Sequence, residues 1–308
     1  MEAGAHRLRL ARRIELSPEA FQRLAIASAV ALYVIVVTGA LVRLTASGLG
    51  CDNWPGCQQG SFFPEQSYHG AIEFSNRAVA LFPIGLSLAT AWFARRVEGL
   101  PRWAVWLAWA VLAGTVAQAP LGLITIKTGL NPLMVMTHFL LALVVLAGAV
   151  VVALAPWRAV DEPALPDWVR RVGLVLAGAA LALVVSGAVA TAAGPHPGDS
   201  AKVDRVWSLH SAVYVHVRAT AIFGTLFLVL LGWLFSRREQ LPRLLRAALV
   251  LLGVLLAQMI VGEIQYRTHL PWGVVLVHVA LAGAVWAGSV AFVTLLWRAR
   301  QSIPLDGT

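Results

Sequence analysis

Residues 133–155 read LMVMTHFLLALVVLAGAVVVALA, an uncharged run broken only by His138. As a helix rising 1.5 Å per residue, this run is long enough to cross the hydrocarbon core of a bilayer. Residues 272–297, WGVVLVHVALAGAVWAGSVAFVTLLW, repeat the pattern, with His278 again about two turns in. Working outward from these two, six more apolar runs appear, at 23–45, 69–94, 103–126, 169–192, 206–235 and 243–264. The predicted fold class is an all-α polytopic membrane protein with eight transmembrane helices. Hydrophobic residues make up 59% of the 308 and charged ones 13%, which excludes a soluble globule.

The recurrence extends along the chain. Thr38-Gly39-Ala40 returns as Ser186-Gly187-Ala188. His69-Gly-Ala-Ile and Arg77-Ala return as His210-Ser-Ala-Val and Arg218-Ala. Ala117-Gln118, Gly122 and Lys127-Thr128 return as Ala257-Gln258, Gly262 and Arg267-Thr268. An offset near 140 residues shared by separate motifs indicates duplication. An even number of spans per half makes both halves enter the membrane in the same direction. Two four-helix bundles related by a pseudo-two-fold axis along the membrane normal are therefore expected. The expected boundaries are a cytoplasmic segment 1–22, an N-terminal half 23–155, a linker 156–168, a C-terminal half 169–297 and a tail 298–308.

The net charge of +9 raises nucleic-acid binding as a function, but its distribution argues for topology instead. Arg7, Arg9, Arg12, Arg13 and Arg23 precede span 1. Arg95, Arg96, Arg102, Arg158, Arg170, Arg171, Arg237, Arg238, Arg243, Arg246, Arg298 and Arg300 fall in alternate loops or the tail. The opposite loops carry only Lys127, Lys202, Arg205 and Arg267. The bias predicts a multi-pass protein of the cell membrane with both termini in the cytoplasm and no nucleic-acid partner. Glu15, Ser17, Pro18 and Glu19 before a full-length first span argue against a cleavable signal.

Ionisable residues at bilayer depth are costly and usually functional. His138 and His278 at repeat-equivalent positions suggest axial haem ligands, held across each bundle from helices 2 and 6. The bland alternative is polar packing. On span 2, His69, Glu73 and Asn76 share one helical face, and Arg77 follows. Glu73 reads either as a structural i,i+4 partner of Arg77 or as a catalytic carboxyl beside a cofactor or substrate. The matching positions on span 6 are His210, Tyr214, Val217 and Arg218, so only the first half keeps the acid. That asymmetry makes the first half the reactive one.

Arg77 and Arg218 read either as interhelical partners or as groups pairing with haem propionates. His210 and His216 are six residues apart and point about 120° apart on a helix, so only one of them serves a given iron. Repeat symmetry favours His210. Gln118 and Gln258 read as helix–helix hydrogen bonders, and His196 and His269 as loop residues. Cys51 and Cys57, on an outer loop with five residues between them, read as a disulfide, or less simply as a redox-active pair.

These residues resemble the haem A synthase family of cytochrome oxidase assembly. The markers are Thr38-Gly39-Ala40-Leu-Val-Arg43, Gly48-Leu-Gly50-Cys51 with Trp54-Pro55 and Cys57, Ile72-Glu73-Phe74 with Arg77, and His138 and His278. The resemblance covers nearly the whole chain. It implies haem b, with its iron, in the C-terminal half and a substrate site in the N-terminal half, where the C8 methyl of haem O is oxidised through hydroxylation to the formyl of haem A. It implies that Glu73 is the essential carboxylate. It further implies haem O synthase and cytochrome oxidase assembly as partners, an electron donor of unknown identity, contact with membrane lipid, and room for homo-oligomers. The family places a histidine immediately before the span-2 arginine and again on span 6. Asn76 and Val217 stand there instead, with His216 one residue earlier, which makes His216 a serious rival to His210. His69 and His210 are the candidate replacements, and the pattern looks like a divergent, actinobacterial-like branch. Two rival functions stand beside this one: a diheme b-type electron carrier, and a transporter with broken helices at Pro83 or Pro120.

Overall fold

The computed structural model describes residues 16–65, 67–156, 163–199, 205 and 207–298. Arg7, Arg9, Arg12, Arg13, Arg158, Lys202 and Arg300 lie outside the described residues, as do most of the expected N-terminal segment, half of the linker and nearly all of the tail. The described elements are α1 (Pro18–Leu44), α2 (Tyr68–Val79), α3 (Leu81–Ala94), α4 (Arg102–Lys127), α5 (Pro132–Leu154), α6 (Asp167–Ala193), α7 (Leu209–Ser236), α8 (Pro242–Arg267) and α9 (Trp272–Arg298). Counting α2 and α3 as one segment, eight are long and apolar enough to cross a membrane. This is a multi-pass, all-helical membrane protein.

Local chemistry sets the helix starts. Ser17, Ser67, Asn131 and Ser208 cap α1, α2, α5 and α7, each accepting a backbone N–H through its side chain. Pro18, Pro132 and Pro242 occupy first-turn positions, where a missing N–H is harmless. With its proline and Ser17 cap, α1 begins five residues before the apolar run at 23. The second span is the one that breaks, at Ala80. Pro83 has no N–H to offer Val79, and its ring crowds that carbonyl. Pro120 lies inside an unbroken α4, and α7 runs unbroken through Gly224, so the break has no counterpart in the second half.

The duplication is visible in a turn. Between α4 and α5, Gly129 and Leu130 both adopt left-handed backbone, with φ of 62° and 57°. Between α8 and α9, His269 and Leu270 do the same, with φ of 64° and 60°. His269 is thus a turn residue. α1 packs on α3 and α5, α4 on α5, α6 on α7 and α9, and α8 on α9, while α1, α5, α6 and α9 meet between the halves. The core there includes Leu143 and Leu146 of α5, Leu176 of α6, Phe223 and Phe227 of α7 and Phe292 of α9. The Trp286 indole N–H donates to the Leu143 carbonyl at 2.7 Å, and the Tyr33 hydroxyl to that of Ala280 at 2.9 Å. Both bonds satisfy an aromatic polar tip and join the halves. Bulky apolar side chains such as Phe82, Trp106 and Val250 face outward, as lipid exposure permits.

Glycines bring α4 against α5. A Cβ on Gly114 would lie 2.5 Å from Val145, and one on Gly148 would lie 2.8 Å from Val111. Close backbone approach of this kind is how helices associate where lipid removes the hydrophobic drive. On the disulfide side the loops also join. Gly48 N–H donates to the Gly198 carbonyl at 2.7 Å, and the Arg43 guanidinium to that of Thr191 at 2.7 Å.

Candidate haem and carboxylate sites

The loop after α1 folds back onto the start of α2. At Gly50 a Cβ would sit 2.4 Å from the His69 carbonyl, so only glycine permits the approach. The next residue, Cys51, is disulfide-bonded to Cys57, and both are buried. The Cys51 N–H donates to Glu73 Oε2 at 2.9 Å, while Glu73 Oε1 pairs with Arg77. Arg77 also donates to the carbonyls of Asn53 at 2.8 Å and Gly56 at 2.6 Å. Glu73 is 4% exposed. A carboxylate so deeply placed needs such partners to stay charged. The disulfide loop and the acid therefore form one unit, in which Arg77 is turned toward the loop. One turn along α2, Asn76 has a buried side-chain oxygen with no hydrogen-bond partner. His69, exposed in the first turn, has Nδ1 3.0 Å from the Ser47 hydroxyl oxygen.

The deep histidines sit against glycines. His138 on α5 faces Gly122 on α4, its Cε1 3.5 Å from where a Cβ would stand. His278 on α9 faces Gly262 on α8 in the same way, at 3.0 Å. Its Nε2 lies 3.2 Å from the Gln258 amide nitrogen. The Nδ1 atoms of His138 and His278 are buried without hydrogen-bond partners among the described residues, as are both amide atoms of Gln118. A third ring completes the second half. His216 on α7 lies over Gly187 of α6, with Cε1 3.0 Å from the Cβ position and Nδ1 3.1 Å from the Ser186 hydroxyl oxygen. His216 and His278 are within electrostatic reach of each other. His210 is exposed, six residues nearer the start of α7, and Arg218 stacks on Tyr214 with its guanidinium 3.2 Å from the ring centroid. His196 donates from Nε2 to the Leu270 carbonyl of the neighbouring turn at 2.8 Å, so it joins loops and not the deep cluster.

Repeat symmetry favours His210 as the partner of His278; the packing favours His216. The glycine seats themselves were not singled out as site residues in the sequence, although Gly122, Gly187 and Gly262 all stand in the repeated motifs. Among the described residues no group of three or more His, Cys, Asp or Glu is placed to hold a bare metal ion. The donor set is instead a pair of imidazoles on facing helices, which suits iron already ligated by a porphyrin. The flat glycine seats and orphaned imidazole nitrogens fit that group.

The model of the COX15-CtaA family, described as cytochrome oxidase assembly protein, matches residues 22–69 and 63–290. The chain belongs to this family. Heme A synthase of Bacillus licheniformis is 32% identical over 142 residues, covering 46% of this chain and 47% of the relative. That of Bacillus pumilus is 31% identical over 144 residues, 46% of each chain. The chain thus spans about half the length of these Bacillus relatives in the matched region. Heme A synthase of Shewanella oneidensis is 26% identical over 321 aligned positions, covering 87% of this chain and 94% of its own. The COX15-CtaA match takes in both halves, including Glu73, His138, His216 and His278. The resemblance read from the sequence motifs is therefore borne out at the level of the family.

Proposed function

We propose that this COX15-CtaA member is a haem A synthase. It oxidises the C8 methyl of haem O to a formyl group, giving haem A for cytochrome oxidase. The observation that carries the reading is the unequal pair of halves. The second half seats both His216 and His278 on glycines, whereas the first half seats His138 on Gly122 and carries the buried acid Glu73. Relatives named Heme A synthase support it.

In this reading residues 169–297 hold haem b and residues 23–155 receive haem O, the halves being related by a pseudo-two-fold axis. Bound haem b supplies one-electron transfer. Ser186 engages Nδ1 of His216, which orients the ring and leaves Nε2 as the nitrogen for iron. Gly187 and Gly262 let the two rings lie flat against α6 and α8. Arg77 and the Cys51 N–H hold the Glu73 carboxylate in place, where it takes or relays a proton as the methyl is oxidised. The arginine-rich loops lie in the cytoplasm with both termini, and the disulfide loop faces outward. A haem O synthase supplies the substrate, and a separate redox partner exchanges electrons with haem b.

Pigment extraction from cells expressing the chain with a haem O synthase tests the function. Haem A in the extract is the expected result. The matched His138–Gly122 and His278–Gly262 seats favour one other reading, a diheme electron carrier, and haem B as the sole pigment would establish that instead.

A further inference from the structure

We propose that the first half holds its haem through one axial histidine, His138, and that the face toward α2 stays open to a small exogenous ligand positioned by Asn76. This rests on the reading above that residues 23–155 form a haem site. The internal repeat carries it. His69 and His210 are 141 residues apart, as are Arg77 and Arg218, which sets Ser75 opposite His216. Ser75 and His216 are each the eighth residue of their helices, α2 and α7. Thr38-Gly39 likewise stands opposite Ser186-Gly187. In the second half an imidazole fills the seat on Gly187. In the first, none of the described residues lies within 4 Å of the Gly39 Cβ position, and a serine stands where the imidazole would come from.

His69 does not make up the difference. His138 and His278 are each the seventh residue of α5 and α9, so both halves set their deep histidine at one depth. His69 is the second residue of α2, six residues from Ser75, which is about 9 Å along a helix axis. Helical side chains tilt toward the N-terminus, so the His69 ring points further from that depth, not toward it. Its Nδ1 is engaged by Ser47 on the disulfide loop.

The open face is polar. Asn76 follows Ser75, and its buried oxygen has no partner among the described residues. It can accept a hydrogen bond from a water molecule or turn its amide toward a diatomic ligand. Glu73 lies three residues away on the same face. Among the described residues no second imidazole competes for this position, so ligand entry needs no histidine to leave.

The test uses the full chain co-expressed with a haem O synthase, purified, reduced and titrated with carbon monoxide. Carbon monoxide should bind one of the two haems. His138→Ala should abolish that binding, and His278→Ala should leave it. His69→Ala should change neither spin state nor carbon monoxide binding. Ser75→His should fill the seat on Gly39, turn the first-half haem low-spin and remove carbon monoxide binding. Asn76→Ala should shift the C–O stretching band of the complex. Two haems that both refuse carbon monoxide, a first half that takes up no haem, or a new ligand-binding haem in His69→Ala would each overturn the proposal. If Ser75→His does not fold, the wild-type and His69→Ala measurements still decide. Haem A in extracts without a carbon monoxide-reactive haem would sink the ligation alone. A reactive haem without haem A would sink the function alone.

Discussion

The backbone N–H of Cys51 donates to Glu73 Oε2 at 2.9 Å, so the disulfide loop and the buried acid of α2 are held as one piece. In the second half the corresponding i,i+4 pair is Tyr214 and Arg218, a cation stacked on a ring. The same helical spacing thus serves two chemistries, and only the first brings an acid to its site.

Replacing Glu73 with Gln keeps the acceptor for Cys51 and removes the charge that pairs with Arg77. Normal expression, retained haem b and accumulation of haem O or a partly oxidised haem are expected. A positioned acid–base group is worth roughly 10²–10⁴-fold in rate. Chromatography of extracted haems reads this, and a wild-type haem A yield would leave Glu73 with its loop-holding role only.

Non-reduced peptide mapping should recover Cys51 joined to Cys57. Closing so short a loop contributes about 2 kcal/mol by chain-entropy reasoning. The double Ser variant should therefore melt earlier and turn over more slowly without becoming inactive. Complete loss of turnover in a well-folded double variant would instead make the pair a redox participant.

The glycine seats can be filled one at a time. Gly187→Ala and Gly262→Ala each put a methyl about 3 Å from an imidazole carbon, so His216 or His278 must shift. A perturbed low-spin haem spectrum and lower haem occupancy are expected from both. Gly122→Ala, with 3.5 Å of room, should be milder, and Gly253→Ala, with no neighbour within 4 Å, should be silent. Identical spectra across all four would show that the seats do not position the rings.

His216→Ala and His278→Ala should both remove the low-spin haem b signal from protein that still inserts, and His210→Ala should keep it. The reverse order for His210 and His216 would restore the ligand that repeat symmetry favours. Absorption and electron paramagnetic resonance spectra of the purified variants separate the two.

The eight spans, the duplication and the resemblance to haem A synthases are all legible in the chain without coordinates. Membrane crossing depends on the length of an apolar run, and duplicated motifs survive as plain recurrences such as Gly122 and Gly262. The break at Ala80 is half legible: Pro83 is visible as a breaker, but whether a helix breaks or carries a proline, as α4 carries Pro120, depends on its neighbours. For the partner of His278 the sequence offers two candidates without choosing between them. His210 and His216 are both plausible from periodicity, and what separates them is a through-space contact, the ring of His216 on Gly187 of another helix. Arg77 likewise shows its loop partners only once the chain folds back on α2. Sequence by itself determined which segments cross the membrane and which residues recur, because those are properties of one segment at a time. Tertiary structure alone decided which imidazoles rest on glycines of a neighbouring helix and which seat stays bare, because those follow from how closely two helices approach.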